Sequence, residues 1–384
     1  NQMGQRRSRL RQLRPSSLRT RPLHLPPHRP RRNLHHSRDE GSVSMKDFYV
    51  AEAAQKENQA ITSYFAVTAK QVRTKKEGGE YLALILGDKT GQFDARMWDN
   101  FAKCVTEFNV GDVVKVQAVV CRFGDRLQLK IDKLRIAVPD EFTLSDFVPT
   151  TDKDVDALWM QLDGIVATIT DPHLLALARS FLDDPEFAEA LRQAPAAKTM
   201  HHAFIGGMLE HVVSMLGLCD AVAQHYPQIH RDLLLTGALL HDIGKLTELS
   251  WGTSFDYTME GQMLGHITIG IGQIDRKIAA IPDFPAPLRI LVEHMVLSHH
   301  GKYEFGSPKL PMIPEAVLLH YIDDMDAKMQ TMDGEFKKAA TAGRDAATMT
   351  EWVRSMERPL LNTRAYLAAG RPADMVPETV EQED

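Results

Sequence analysis

The chain has 384 residues, 43% apolar and 25% charged, which allows two domains with real cores and excludes a fibre or a wholly disordered chain. No uninterrupted apolar run reaches the roughly 18 residues that a membrane span needs, and no signal-like apolar core opens the chain. The cysteines, Cys104, Cys121 and Cys219, have no paired spacing, so neither a disulfide framework nor a thiolate zinc site is expected, in keeping with a reducing cytoplasm.

The net charge of −6 divides unevenly. Residues 1–44 carry eleven arginines against Asp39 and Glu40, a charge of +9, while the remainder, with 34 basic and 49 acidic residues, stands at −15. A body this acidic does not bind nucleic acid through its overall field, so any such binding requires a local basic face. The leader 1–44 is rich in Arg, Pro, Ser and His without an apolar period and is expected to be disordered. Met45 opens ordinary sequence and reads as the natural start, with the upstream piece a start-site artefact; a basic nucleic-acid-binding arm and an organelle transit peptide are the rival readings.

From Ile61 to Val138 short alternating runs are separated by turn signals, the pattern of an all-β module. Strands are expected near Tyr64 to Arg73, Tyr81 to Leu86, Gln92 to Trp98, Val113 to Cys121 and Arg126 to Ile136, with a helical piece from Asn100 to Phe108. Five strands with a helix between the third and fourth make an OB-fold barrel, a scaffold that often binds single strands. Its candidate face combines Lys70, Arg73, Lys75, Lys76, Arg96, Arg122 and Arg126 with Tyr64, Phe65, Tyr81, Phe93, Trp98 and Phe123, cations to track phosphates and rings to stack bases. The competing reading places most of these rings inside the barrel.

Residues 139–150, with Pro139 and Pro149, read as a linker. The chain is then helical almost throughout, so the fold class is multidomain, a small β-barrel followed by an all-α domain over 151–332 and a helical extension with an acidic tail over 333–384. Helices are expected near Asp152 to Thr168, Pro172 to Leu182 and Pro185 to Gln193, the last two started by Asp171-Pro172 and Asp184-Pro185.

Chemistry enters at Met200 to Gln224, where Phe204, Met208, His211, Met215 and Leu218 share one helical stripe and turn His211 inward. A lone inward histidine is more often a core residue with one hydrogen bond than a ligand. The next helix, near Arg231 to Leu246, carries His241-Asp242 within an apolar pattern, and a buried carboxylate needs a partner cation or a metal. Lys245 lies four residues past His241, where a phosphate cation and a solvated helix-end lysine are the two readings. His266, His299, His300 and Asp323 follow at inward positions, with Asp326 on the same side of its helix as Asp323. Nitrogen and carboxylate donors without thiolate suit Mn, Fe, Co, Ni or Zn. One ion would use His211, His241, Asp242 and Asp323; a second, bridged by Asp242, would use His266 and His299, with His300 near.

The order His211, His241-Asp242, Asp323 resembles the H, HD, D signature of HD-domain phosphohydrolases. More narrowly the chain is similar to the YhaM-type 3'→5' exoribonucleases, which join an OB domain to an HD domain. The matching segments include Asp88-Lys89-Thr90-Gly91, Arg96-Met97-Trp98-Asp99, Leu240 to Lys245, Glu260-Gly261-Gln262 with Gly265-His266, Ser298-His299-His300-Gly301 with Glu304 to Pro308, and Leu319 to Asp323 with Asp326-Ala327-Lys328. The likeness covers roughly Ile61 to Lys328 and leaves out the leader and the tail. It implies Asp323 as the last metal position and Asp326 as a residue that orients a ligand histidine. It also implies cleavage of single-stranded RNA, with DNA open, from the 3' end to 5'-mononucleotides, and a preference for manganese. On this reading Lys245 serves catalysis beside Asp242, and Lys302 and Ser307 hold further phosphates. An HD nucleotide or cyclic-dinucleotide phosphodiesterase and a non-catalytic single-strand-binding protein are the alternatives. Self-association through the helical segment after Thr331 is a further expectation.

Overall fold

The computed structural model describes residues 46–75, 78–198 and 202–370. The arginine-rich leader, Lys76, Met200 and the acidic tail beyond Gly370 lie outside the described residues.

Five strands, β1 (Ala60–Thr74), β2 (Glu80–Asp88), β3 (Gly91–Met97), β4 (Val113–Phe123) and β5 (Arg126–Ile136), close into a barrel of order β1-β2-β3-β5-β4. All pairs are antiparallel except β3 with β5, whose parallel pairing closes the barrel. Closure is possible because β1 is long and bends at an irregularity between Val67 and Ala69, pairing with β4 through its first half and with β2 through its second. Alternation sends Leu82, Leu84 and Leu86 of β2, Phe93 and Ala95 of β3, and Leu129 and Ile131 of β5 into the core. Phe65 joins them and Tyr64 is buried on the outer side of β1, so for Tyr64, Phe65 and Phe93 the reading of rings that fill the barrel, rather than of a binding face, describes the fold.

Two expectations for local structure fail for identifiable reasons. The helix from Asn100 to Phe108 is reduced to a 3-10 turn at Phe101–Lys103 followed by further turns. Asn100 is left-handed, at φ 59°, and β-branched Val105 and Thr106 are weak helix formers. Cys104 and Phe108 are drawn into the barrel core instead. The stretch 139–150 is not a free linker, because Phe142 and Phe147 pack on Tyr64, Ala66 and Val113 of the barrel wall.

The helical domain comprises α1 (Val155–Val166), α2 (Pro172–Leu182), α3 (Pro185–Gln193), α4 (Gly207–His225), α5 (Arg231–Leu240) and the short α6 (Lys245–Glu248). A small hairpin follows, β6 (Leu249–Ser250) with β7 (Asp256–Tyr257), then α7 (Met259–Ala279), α8 (Ala286–Ser298), α9 (Pro314–Thr341) and α10 (Thr363–Ala369). Asp171 and Asp184 cap α2 and α3 by accepting backbone N–H groups two and three residues on, as their Asp-Pro pairs predict. Helices α4 and α5 form the centre: α5 is buried at every position from Asp232 to Leu240. The hairpin reaches back to the barrel, where the Thr253 hydroxyl donates to the Gly111 carbonyl at 2.7 Å. Among the described residues no helix is long and apolar enough to cross a membrane.

Candidate metal centre and nucleic-acid face

The expected continuous helix from Arg231 to Leu246 is broken. Helix α5 ends at Leu240, His241 is its C-cap residue, and Asp242 to Gly244 form turns before α6. The break lets His241 and Asp242 project from the end of a buried helix. Gly244 is required here: a Cβ on it would stand 1.9 Å from the carbonyl oxygen of His266, so only glycine lets α7 cross this closely.

Four donor atoms meet on one side of Asp242. Nε2 of His211, from α4, lies 3.3 Å from Nε2 of His241 and 3.4 Å from Oδ1 of Asp323, from α9. Asp242 Oδ2 stands 3.4 Å from His241 Nε2 and 3.9 Å from His211 Nε2. On the other side, Asp242 Oδ1 is 3.5 Å from His266 Nε2 and 3.6 Å from His299 Nε2. His300 joins His266 and His299 in a second group whose ligand-type atoms lie within 4.8 Å of one another.

The hydrogen-bond partners fix which ring nitrogen faces inward. His241, His299 and His300 each turn Nδ1 to a backbone carbonyl, of Ala238 at 2.9 Å, Val296 at 2.7 Å and Phe305 at 2.8 Å. His211 turns Nδ1 to Asp326 Oδ2 at 2.8 Å, and His266 turns Nδ1 to Glu248 Oε1 at 3.3 Å. A carbonyl or carboxylate can only accept, so each Nδ1 carries a proton and each ring, when neutral, presents its Nε2 lone pair to the centre. With both rings neutral, the lone pairs of His211 and His241 would stand 3.3 Å apart and repel unless a cation lay between them. Among the described residues, Asp242 Oδ1, His266 Nε2 and His299 Nε2 are buried without a hydrogen-bond partner, an arrangement that costs free energy and that a divalent ion would relieve. The residues present therefore fit metal ions.

Electrostatics agree with this chemistry for Asp242, His299 and His300. At His241 burial works against the charged ring but Asp242 and Asp323 prevail and raise it above its ordinary value, so an ion bound there displaces a proton. Burial opposes the charge of Asp242, yet Lys245, with Nζ 2.6 Å from Oδ2, and His241 hold the carboxyl well below its ordinary range. Burial pushes His299 and His300 down, keeping both rings neutral and able to ligate. Asp326 is also held low: burial works against its charge, but His202, His211 and Ser214 donate to it and prevail. Asp326 thus faces the back of His211 while Asp323 faces the front, the arrangement expected for an orienting residue and a ligand.

Sequence reasoning missed several supporting groups. His202 and Ser214 bind Asp326, Glu248 holds His266, and His320 Nδ1 lies 2.9 Å from the backbone carbonyl of His299. Their partners lie between 18 and 124 residues away in sequence, and no spacing signals them. The Ser307 hydroxyl is buried and lies within hydrogen-bond distance of the carbonyls of Leu297 and Lys309, which pins the loop. Lys302 is exposed on that loop, with Nζ 5.3 Å from the Phe305 ring.

On the barrel, Tyr81 and Trp98 stack with centroids 4.6 Å apart, and the Arg96 guanidinium lies 5.9 Å from the Trp98 ring and 5.0 Å from Phe123. Phe123 is 64% exposed and stands opposite Arg126 across the β4–β5 hairpin, while Arg73 pairs with Tyr81. Register also places Lys130 beside Arg96, a cation that was not anticipated. Lys75 donates to the Trp98 carbonyl at 3.0 Å and borders this cluster. Arg122 alternates with Phe123 onto the other side of β4 and donates to both carboxylate oxygens of Glu57, at 2.8 and 2.9 Å.

Comparison with known proteins accords with both halves. The HD domain family matches residues 208–328 and an OB-fold nucleic acid binding domain family matches residues 66–137. The 3'-5' exoribonuclease YhaM of Geobacillus sp. (strain WCH70) is 37% identical over 281 residues, 73% of this chain and 86% of that protein. Among solved structures, the second OB-fold domain of replication protein A from Methanococcus maripaludis is 26% identical over 21% of this chain and 85% of its own, with a TM-score of 0.18. A putative aspartyl-tRNA synthetase from Leishmania major Friedlin is 18% identical over 36% of this chain and 32% of its own, with a TM-score of 0.19, and likenesses this slight bear no weight. The identity along barrel and helical domain together shows that the chain belongs to the YhaM 3'-5' exoribonuclease family.

Proposed function

We propose that the chain is a metal-dependent 3'→5' exoribonuclease of the cytoplasm that hydrolyses single-stranded RNA, with single-stranded DNA open as a further substrate, to 5'-mononucleotides. The observation that carries this reading is the convergence of three buried, unpartnered atoms, Asp242 Oδ1, His266 Nε2 and His299 Nε2, next to the cluster of His211, His241 and Asp323. His211, His241, Asp242 and Asp323 would hold one divalent ion, and Asp242, His266, His299 and His300 a second; the nitrogen and carboxylate set suits Mn, Fe, Co, Ni or Zn, and the family likeness favours Mn²⁺. When bound, such ions supply Lewis acidity, lowering the pKa of a coordinated water toward about 7 and drawing charge from a phosphoryl oxygen.

The chain's own groups do the rest. Lys245, half-buried against Asp242, offers a cation for the negative charge that grows on the phosphoryl oxygens. Lys302, exposed five residues before Ser307, stands ready for a neighbouring phosphate. The barrel holds the strand, its rings stacking unpaired bases while Arg73, Lys75, Arg96, Arg126 and Lys130 follow the backbone. A stacking face of this kind requires single strands, because paired bases do not expose their faces.

The test uses purified full-length protein, MnCl₂ and a 5'-labelled single-stranded RNA. A ladder shortening from the 3' end, with 5'-mononucleotides released, is the expected result. An intact strand beside hydrolysis of a cyclic dinucleotide would transfer the site to small-molecule substrates. Binding without hydrolysis under any divalent metal would leave only a strand-binding protein.

A further inference from the structure

Helix α7 is interrupted inside its first three turns. Gly265 has φ 72° and ψ 154°, outside the helical region, and the break releases the N–H of His266 from the helical ladder. That N–H does not go unmet. Glu248 Oε1 accepts it at 3.0 Å, and the same oxygen lies 3.3 Å from His266 Nδ1, so a single carboxylate oxygen fixes both the backbone and the ring of this histidine. Glu248 is itself held firmly: its carbonyl accepts the Thr258 N–H at 2.9 Å, and Gly261 crosses so close to it that a Cβ there would stand 2.2 Å from that oxygen. The side chain is nearly buried, and although burial opposes its charge, His266 holds the carboxyl below its ordinary range.

The two sides of Asp242 differ in the chemistry of their donors. The side with His211 has two carboxylates, Asp242 and Asp323, and a histidine backed by Asp326. The side with His266 shares one oxygen of Asp242 and otherwise offers, among the described residues, three histidines and no further carboxylate ligand. Fewer anionic donors mean weaker and more exchangeable binding of a hard divalent ion. On that side, among the described residues, Glu248 is the one carboxylate that backs a histidine, where His299 and His300 lean on backbone carbonyls.

We infer that Glu248 is the positioning residue of a second, lower-affinity metal position formed by Asp242, His266, His299 and His300, and that it sets the occupancy of that position. This rests on the two-ion reading given above. Its mode of action is to lock the His266 ring with Nε2 toward Asp242 and to raise the basicity of that nitrogen, which together typically change metal affinity by about 10 to 100-fold.

Equilibrium binding of Mn²⁺ to the full-length protein, read by the EPR signal of the free ion, tests the inference without turnover. Wild type is expected to show a tight and a weak class, one ion each. Glu248→Ala should weaken the weak class about 10 to 100-fold and leave the tight class within about twofold, whereas Asp323→Asn should do the reverse. Glu248→Gln keeps an oxygen for the His266 N–H but loses the charge that raises the basicity of its ring, and should weaken the weak class about 3 to 10-fold, less than alanine. It also carries the test if the alanine variant does not fold. A lowered Tm with an unaltered weak class in either Glu248 variant would make Glu248 a helix cap alone and overturn the inference. A single ion in wild type would instead overturn the two-ion reading beneath it.

Discussion

Lys245 donates to Asp242 Oδ2 at 2.6 Å, so the carboxylate oxygen that faces His211 and His241 also carries an ammonium. This opposes two effects in one side chain. The ammonium repels a dication bound by the same oxygen, yet supplies charge for a phosphoryl group. Lys245→Met is therefore expected to bind Mn²⁺ at least as tightly as wild type while kcat on single-stranded RNA falls about 100-fold, the usual cost of losing one charge-stabilising group. Metal titration and single-turnover hydrolysis on the same preparation read both. Loss of metal along with activity would show that Lys245 serves only to hold Asp242 in place.

Asp326 makes a prediction about acid. A free aspartate titrates near 3.8, and Asp326 titrates below that because His202, His211 and Ser214 outweigh its burial. Its folded pKa is depressed, so its contribution to stability is full above the unfolded value and is lost as pH falls through that value toward the folded one. Asp326→Asn should cost about 2 kcal/mol at pH 7, the worth of charge-assisted hydrogen bonds to a buried group. The gap from wild type should narrow as pH is lowered from about 5 to 3. Urea denaturation of chelator-treated protein across that range measures it, and a constant gap would mean that the carboxylate's charge is not what matters.

Barrel arginines should separate by partner. Arg96 lies among Trp98, Phe123 and Lys130, whereas Arg122 is occupied by Glu57 on the other side of its strand. Trp98→Ala is expected to raise the Kd for a single-stranded RNA by about 5 to 100-fold, the range for one base-stacking ring. Arg96→Ala should raise it and flatten the dependence on salt, while Arg122→Ala should change neither by more than about twofold. Cys121 offers an independent reading. It pairs with Gln128 on the strand positions that alternate with the core, and it is half-exposed while Cys104 and Cys219 are buried. Iodoacetamide should label Cys121 first, and bound RNA should slow that labelling; unchanged labelling at saturating RNA would place the strand elsewhere.

How far the sequence discloses this molecule depends on the range of the interaction. The strands of the barrel are legible because alternation is local, as in Leu82, Leu84 and Leu86, and the starts of α2 and α3 because Asp171 and Asp184 reach only two or three residues. The break after Leu240 was not legible, since it is imposed by α7 crossing Gly244 rather than by any residue within α5. Among site residues, inward stripes and the family likeness singled out His211, His241, Asp242, His266, His299 and Asp323. The groups that set their tautomers escaped notice because a backbone carbonyl has no sequence signal, and Glu248 meets His266 only across the β6–β7 hairpin. For Ser307 and Arg122 residue type suggested a phosphate contact, and the fold also engages both within the chain.

Gly244→Ala separates architecture from chemistry. The added Cβ would stand 1.9 Å from the His266 carbonyl oxygen and 2.8 Å from the Gly270 nitrogen, both backbone atoms that cannot rotate away. Helix α7 must then move outward, carrying His266 from Asp242 and loosening the hold of Glu248 on its ring. The His211 side of the centre is built from α4, α5 and α9 and does not depend on that crossing. The variant is expected to lose about 2 to 4 kcal/mol of stability, as overpacking against backbone does, and to keep one class of Mn²⁺ sites while losing the other. Chemical denaturation and Mn²⁺ binding on the folded fraction read the two effects separately. Retention of both classes at full affinity would mean that the crossing of α6 and α7 does not position His266.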